Sequence, residues 1–286
     1  MNTLNLIDPE ISAIKYETLV FPDGQPHIKI DTKTCDDLNK EDTLVVLSRI
    51  SNTNDLLIVL LVKNTLDHLG FKKIELKISY LLAARMDRIM LPGEPFTLQV
   101  VANLINQAGF NRVSIFDPHS EVTTNIITNV NGINNHRFVN DVLNHYKNKY
   151  PNDDSSTFNL VSPDAGALKK IHQVAAATGG MAVVECKKKR DLTTGHLTGF
   201  TVFAENLDGR ICFIIDDICD GGGTFIGIAK ALKNLGAKKI ILAVSHGIFS
   251  KGFPLENVDE IYCTDSYKTI IESIENVHVF NVLDYL

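Results

Sequence analysis

The sequence predicts an α/β protein with two similar halves, each a mainly parallel sheet flanked by helices. Apolar runs of strand length alternate with stretches of helical periodicity through most of the 286 residues. Several helical stretches end at a glycine, such as Gly70, Gly109 and Gly236, and glycine is a common helix stop. The 44% apolar content is enough to bury a substantial core.

The first half alternates strands and helices in the order expected of a parallel sheet. Its predicted strands are 44–47, 74–80 and 113–116, and its predicted helices are 56–69 and 96–108. The polar, Asn-rich stretch 129–156 contains one plausible helix, 137–148, and we expect the two halves to separate here. The predicted domains are 1–131 and 132–274, and the tail 275–286 is a candidate to pack on the first domain.

The second half repeats this alternation without a strict sequence repeat. A strand is predicted to end at Val161, and others cover 181–184, 211–215 and 239–244. Helices are predicted at 167–178 and from Phe225 to the stop at Gly236, and a charged loop is expected after 181–184.

Composition excludes several functional classes. The net charge of -6 provides no basic surface for nucleic acid. No apolar run approaches the ~20 residues needed to span a bilayer, and the first residues lack the basic-then-apolar pattern of a signal peptide. The five cysteines are odd in number, scattered and free of Cys-x-x-Cys spacing. We therefore expect a cytoplasmic protein with reduced, non-metal cysteines and no nucleic-acid or membrane partner.

The most informative stretch is 211–224, Ile-Cys-Phe-Ile-Ile-Asp-Asp-Ile-Cys-Asp-Gly-Gly-Gly-Thr. A buried strand is expected to end at the acidic pair Asp216 and Asp217. A glycine loop before a helix directs backbone N–H groups into one concavity, and Thr224 can cap that helix, so the loop suits a phosphate. The two carboxylates can hold sugar hydroxyls or a hydrated cation. Ribose 5-phosphate combines both features; the alternative is a plain βα turn with solvated acids.

Three further segments follow predicted strands or precede predicted helices. They are Arg85-Met86-Asp87-Arg88, Asp117-Pro118-His119 and Ser162-Pro163-Asp164-Ala165-Gly166. A histidine just past a strand end can be a turn residue or a metal ligand at the carboxyl edge of the sheet. A basic run, Cys186-Lys187-Lys188-Lys189-Arg190-Asp191, is by itself most simply a solvated loop.

The loop 216–224 resembles the phosphoribosyl diphosphate motif of type I phosphoribosyltransferases and ribose-phosphate diphosphokinases. Taken in order, the segments resemble the second of these, also called the phosphoribosyl-pyrophosphate synthetase or ribose-phosphate pyrophosphokinase family. Phe21-Pro22-Asp23-Gly24-Gln25, Pro92–Phe96, His246–Ser250 and Thr264–Ser266 match other landmarks of that family. The resemblance covers about 21–266 and implies two phosphoribosyltransferase-like domains.

The family transfers the β,γ-diphosphoryl group of ATP to the anomeric hydroxyl of ribose 5-phosphate and releases AMP. The resemblance implies Mg²⁺ as cofactor, held by His119 and Asp164, and a mobile catalytic loop. Lys188 and Arg190 match the catalytic pair of that loop, with Lys187 as the rival lysine. The implied substrate contacts are Phe21, Asp23, Gln25, Arg85, Asp87 and His119 for ATP; Asp216, Asp217, Asp220, Gly221, Gly222, Gly223 and Thr224 for ribose 5-phosphate; and Asp164, Ala165 and Gly166 for the diphosphate.

The chain departs from the family pattern at several positions. Gln25 stands for a glutamate, Met86 for a glutamine, Pro118 for a leucine and Ala167 for a second glycine, and Gln-Gly-Phe-Phe after His119 is missing. These changes concern allosteric control and oligomer geometry more than the reaction.

Two rival functions remain open. A type I phosphoribosyltransferase would share the loop 216–224 but would not need Arg85, His119 and the first half. A non-catalytic regulatory partner would have lost the Lys–Arg pair or the metal ligands. The resemblance also implies a homo-oligomer built from dimers, a hexamer in the family, in which the segment 21–25 meets the adenine bound by a neighbouring subunit.

Overall fold

The structure, a computed structural model, describes residues 2–190, 197–270 and 273–286, without the side chains of residues 189, 190, 197 and 198. The first half contains five parallel strands in the spatial order β1 (Asn2–Asn5), β4 (Thr43–Ile50), β5 (Lys73–Leu81), β6 (Arg112–Phe116) and β7 (Val130–Ile133). A hairpin of β2 (Tyr16–Val20) and β3 (Pro26–Ile30) lies between β1 and β4 in the chain.

Helices α1 (Thr53–His68), α2 (Thr97–Ala108) and α3 (Glu121–Ile126) follow β4, β5 and β6. A capping box starts α1, because the Asn52 side chain accepts from the N–H of Asp55 while the Asp55 carboxylate accepts from the N–H of Asn52. The apolar sides of these helices and of the sheet form one continuous core.

The second half has a seven-stranded sheet. Its spatial order is β10 (Leu197–Val202), β9 (Ala182–Arg190), β8 (Phe158–Ser162), β11 (Ile211–Cys219), β12 (Lys239–Gly247), β13 (Glu260–Thr264) and β14 (Val277–Phe280). All neighbours are parallel except β9 and β10. Helices α4 (His136–Lys149), α5 (Leu168–Ala177) and α6 (Gly223–Asn234) belong to this half, and a separate apolar core covers each face of the sheet. The predicted α/β class with mainly parallel sheets is confirmed.

Two predicted strand ends are wrong. β11 does not stop at the acidic pair but continues to Cys219, because Asp216 and Ile218 pair with Val244 and His246 of the neighbouring β12. β9 does not give way to a charged loop after 184 but continues to Arg190. Antiparallel pairing with β10, an element that the sequence did not indicate, supplies the backbone hydrogen bonds that extend β9.

Thr224 does not cap α6. The capping position is Gly222, which has φ 76 and no side chain with which to cap the helix. Thr224 lies inside the first turn of the helix instead.

The division between the halves at 131/132 falls inside β7 and stays a prediction. α4, in the stretch expected to separate the halves, packs into the core of the second. The tail contributes β14 to the second sheet, whereas its end contacts the first half: Tyr285 stacks on Phe116 with ring centroids 5.8 Å apart, and Lys77 Nζ donates to Leu286 O at 3.0 Å.

The interface between the two halves contains polar and aromatic contacts. Ser266 O accepts from Arg49 Nε at 3.0 Å and from Ser79 Oγ at 2.9 Å, both from the first sheet. The His246 ring lies 5.2 Å from the Tyr80 ring and 5.7 Å from the Phe116 ring. Among the residues described, no helix has the length and apolar character to cross a membrane.

Candidate active site

One large cleft, with a volume of about 1370 Å³, lies between the two halves. Segments that follow the carboxyl ends of β5, β6, β8 and β11 line it. In open α/β sheets ligands bind at this edge, and here two such edges face each other. The cleft is therefore the candidate active site.

The glycine loop 220–224 forms one wall of this cleft. A Cβ atom on Gly222 would lie 2.6 Å from Leu255 Cδ2, and its φ of 76 favours glycine independently. Behind the loop, α6 directs its N-terminal N–H groups toward the cleft wall. The combination forms a site for an anion such as a phosphate.

The acidic pair lies at the end of β11, and a histidine of the first half reaches it. His119 Nδ1 is 2.6 Å from Asp217 Oδ2, and Asp217 is 6% exposed. The hydrogen bond that the His119 ring donates to the Asp217 carboxylate raises the pKa of His119. Burial alone would raise the pKa of Asp217, yet His119 and the charge of Lys170 hold it well below its usual range. Burial and the charge of Asp217 raise the pKa of Asp216 well above its usual range, so Asp216 is the member that retains a proton to higher pH.

A second contact between the halves joins Arg85 to the glycine loop. Arg85 Nη2 lies 2.8 Å from Asp220 Oδ2, and both side chains are more than a third exposed. Beside it, Asp87 is 5% exposed and accepts from Arg88 Nε at 3.1 Å. Burial would raise the pKa of Asp87, but the Ser120 hydroxyl and the charge of Arg88 keep it below its usual value.

The basic strand β9 brings two lysines, Lys187 and Lys188, to the cleft. Lys188 Nζ lies 2.8 Å from Asp164 Oδ2, while Asp164 Oδ1 accepts from the N–H of Ala167 at 3.1 Å. Burial opposes ionisation of Asp164, but Lys188 lowers the pKa of this carboxyl. The side chain of Arg190 and the whole of Asp191 lie outside the described residues.

The structure thus brings most of the predicted site residues together. Those that line the cleft are Arg85, Asp87, His119, Asp164, Ala165, Gly166, Lys187, Lys188, Asp216, Asp217, Asp220, Gly221, Gly222, Gly223 and Thr224. Phe21, Asp23 and Gln25 lie elsewhere, at the turn of the β2–β3 hairpin. Phe21 is 42% exposed there, with its ring 5.6 Å from the His27 ring.

Sequence reasoning missed three polar residues: Asp117 and Lys170, which line the cleft, and Ser245, which contacts Asp117. Asp117 is 2% exposed, and its carboxylate contacts Lys170 Nζ at 2.5 Å and Ser245 Oγ at 2.5 Å. Asp117 belonged to a recognised segment, but no role was assigned to it. Lys170 lies four residues before the buried Val174, so the apolar periodicity of α5 indicates that it faces inward, but nothing in the sequence indicates that its partner is Asp117.

The donor set fits a magnesium ion that takes most of its ligands from water and phosphate. The Asp164 side chain is 36% exposed at the cleft, so its carboxylate is accessible, and His119 has a second ring nitrogen beyond the one that meets Asp217. Within the part of the chain that the structure describes, no three His, Cys, Asp or Glu side chains are grouped to hold a metal by themselves. The five cysteines are all buried free thiols.

Comparisons with known proteins agree with this architecture. A family model described as a phosphoribosyl transferase domain matches residues 133–283, and one described as the N-terminal domain of ribose phosphate pyrophosphokinase matches residues 8–109. The ribose-phosphate pyrophosphokinase of Ureaplasma parvum is 30% identical over 254 residues, which cover 86% of this chain and 71% of that protein. The corresponding protein of Pyrococcus abyssi is 26% identical, covering 99% and 90%.

A solved structure shares the fold. The crystal structure of phosphoribosylpyrophosphate synthetase from Mycobacterium smegmatis superposes with a TM-score of 0.77 at 20% identity, covering 96% of this chain and 89% of that one. Both halves therefore have the predicted phosphoribosyltransferase-like fold. The family resemblance read from the motifs is confirmed, and the chain belongs to the ribose-phosphate pyrophosphokinase family.

Proposed function

We propose that the protein is a ribose-phosphate diphosphokinase, which makes phosphoribosyl diphosphate and AMP from ATP and ribose 5-phosphate. The main support is the composition of the cleft, where the sugar-phosphate loop of the second half faces Arg85 and His119 of the first. A phosphoribosyltransferase would need only the loop 216–224. Two substrates that react across a cleft need binding groups on both walls.

In this proposal the loop Asp220–Thr224 binds the 5-phosphate and Asp216 with Asp217 binds the ribose hydroxyls. The glycine loop and the α6 N-terminus favour the charge of the phosphate. The carboxylates accept hydrogen bonds from hydroxyl groups, and the ionised Asp217 is the stronger acceptor.

ATP binds on the opposite wall, with Arg85, Asp87 and His119 near its phosphates and ribose. The adenine-binding segment, Phe21, Asp23 and Gln25, completes the site of a second subunit. Its location at an exposed hairpin outside the cleft of its own chain supports this assignment. The working enzyme is then a homo-oligomer, with a dimer as the minimum closed unit.

The reaction is an attack of the anomeric oxygen of the sugar on the β-phosphorus of ATP. The new O–P bond forms as the bond between the α,β-bridging oxygen and the β-phosphorus breaks, the hydroxyl loses its proton, and AMP leaves. Lys188 and Arg190 stabilise the charge that accumulates on the phosphoryl oxygens, and Asp164, Ala165 and Gly166 surround the transferred diphosphate. Asp164 and His119 would hold magnesium, which when bound neutralises phosphate charge and aligns the phosphate oxygens.

The test is a product assay with purified protein, ATP, magnesium and ribose 5-phosphate. We expect AMP and phosphoribosyl diphosphate, and neither without the sugar. The Asp216→Asn/Asp217→Asn double variant controls for contaminating enzymes. Sugar-independent release of ADP would contradict the proposal. Release of diphosphate from phosphoribosyl diphosphate and a nucleobase, without the forward reaction, would instead identify a phosphoribosyltransferase.

A further inference from the structure

The second half contacts the turn that carries His119 through Asp117. This residue follows β6 with φ 44, in the left-handed region that non-glycine residues rarely adopt. Its two carboxylate oxygens contact Lys170 Nζ of α5 and Ser245 Oγ of β12, each at 2.5 Å. Its carbonyl oxygen lies 3.1 Å from His246 Nε2, also of β12. Three groups of one half therefore fix one residue of the other.

Lys170 supplies the only full positive charge among these three contacts with Asp117. A carboxylate that is 2% exposed needs such a partner, since an unpaired buried charge is strongly unfavourable. Asp216 and Asp217 are also negative neighbours of Lys170, and together the three carboxylates hold the pKa of Lys170 above its usual value although burial opposes this. Without the ammonium, the buried carboxylate of Asp117 would lose its charged partner and would move.

The position of Asp117 is transmitted to His119 through a rigid residue. Pro118 has a fixed φ, and its ring packs on Gly132, where a Cβ atom would lie 3.4 Å from Pro118 Cγ. A shift of the Asp117 backbone therefore displaces His119, which forms its 2.6 Å hydrogen bond with Asp217 on the opposite wall. That bond connects the nucleotide side of the proposed site to the sugar side.

We infer that Lys170 is a positioning residue: its ammonium, through Asp117, holds the turn 117–119 so that His119 meets Asp217. Lys170 lines the cleft, but its ammonium pairs with Asp117, to which neither substrate is assigned. This inference rests on the proposed function for its kinetic consequence, but the contact between Lys170 and Asp117 can be tested without any substrate.

The kinetic test compares Lys170→Met with Lys169→Met, a matched control on the same helix. Lys169 is exposed and also lines the cleft, but its ammonium pairs with Glu121 at 2.9 Å, whereas that of Lys170 pairs with Asp117. We expect Lys170→Met to lower kcat by about 10²-fold, as a misplacement near 1 Å can do. KM for ribose 5-phosphate should also rise, because Lys170 is a positive neighbour of Asp217 in the proposed sugar site. Lys170→Arg should restore most of the rate because it keeps the charge. A Lys170→Met enzyme as fast as the control, or no rescue by arginine in a folded protein, would overturn the inference.

A double-mutant cycle with Asp117→Asn tests the route. If Lys170 acts through Asp117, the Lys170→Met/Asp117→Asn variant should be no slower than the slower single variant. Multiplicative losses would contradict the inference. If Lys170→Met does not fold, Ser245→Ala, which removes the other carboxylate contact, should lower kcat in the same sense, and an unchanged rate would count against it.

The spectroscopic test does not depend on catalysis. The proton shared by His119 and Asp217 should give a downfield imidazole N–H resonance in ¹⁵N-histidine-labelled protein, assigned by its absence in His119→Gln. Lys170→Met should shift or remove this resonance, and Lys169→Met should leave it in place. Retention in Lys170→Met would refute the positioning role even if the proposed reaction were wrong.

Discussion

Asp216 and Asp217 are adjacent and chemically identical, yet replacing each with asparagine should have unequal consequences. His119 and Lys170 favour the ionised form of Asp217, whereas burial and the charge of Asp217 raise the pKa of Asp216, so that Asp216 keeps its proton to higher pH. Asparagine resembles a protonated carboxyl in shape and lack of charge but cannot replace the carboxylate. We therefore expect Asp217→Asn to weaken ribose 5-phosphate binding far more than Asp216→Asn.

The magnitude follows from the kind of hydrogen bond that each residue can make. A hydrogen bond to a charged group contributes about 1.5–3 kcal/mol, and a neutral one about 0.5–1.5 kcal/mol. Since about 1.4 kcal/mol corresponds to a tenfold change in affinity, Asp217→Asn should weaken sugar binding by about 10- to 100-fold, and Asp216→Asn by less than about 10-fold.

Isothermal titration with ribose 5-phosphate measures these affinities, and KM for the sugar provides a kinetic check. Asp208→Asn, at an exposed carboxylate, is a matched control that should bind normally. Thermal unfolding of each variant verifies the fold. Equal losses for the two variants would refute the assignment of the charge to Asp217, and unchanged affinity in the double variant would refute the ribose role of both.

Three further predictions concern the basic strand, assembly and acid stability. Lys188→Ala and Arg190→Ala should each reduce kcat by about 10²-fold or more with smaller effects on binding; near-normal turnover in both would leave the strand without a catalytic role. Diluting the enzyme while following mass by light scattering should show activity falling as oligomers dissociate, and a fully active monomer with unchanged ATP dependence would exclude the shared adenine site. The hydrogen bond from Lys238 is the largest cause that lowers the pKa of Asp153 to about 2. The stability that ionised Asp153 contributes is therefore present above about pH 4 and is lost as the pH falls through 2. Asp153→Asn should accordingly lower the free energy of unfolding at pH 7 by about 1–2 kcal/mol, allowing for solvent screening, and leave stability near pH 2 unchanged; an equal loss at both values would contradict this.

The elements that could be predicted from the sequence are those with local causes. The strand that begins with the apolar run 211–215 and the helix after the glycine loop were predictable, because the residue pattern within each segment indicates the element. The position of the loop at the cleft follows equally directly, since parallel strands present their carboxyl ends at one edge.

The elements that were missed depend on partners distant in the chain. Residues 187–190 are charged and suggested a loop, but antiparallel pairing with β10 makes them the end of a strand, beyond the part of β9 that pairs with β8. Likewise, the periodicity of α5 can place Lys170 on the inward face, but it cannot identify the acid that Lys170 meets, which is 53 residues earlier. Patterning within one segment cannot contain this information.

The interface between the halves and the floor of the cleft share residues. Asp117 contacts α5 and β12 directly below the wall that carries Asp217, and Ser266 is held nearby by Arg49 and Ser79. A ligand that touches both walls therefore acts as a crosslink between two folding units, and its binding free energy stabilises both. Filling both binding surfaces should therefore make unfolding more cooperative, so that the width of the calorimetric transition, as well as its midpoint, reports occupancy.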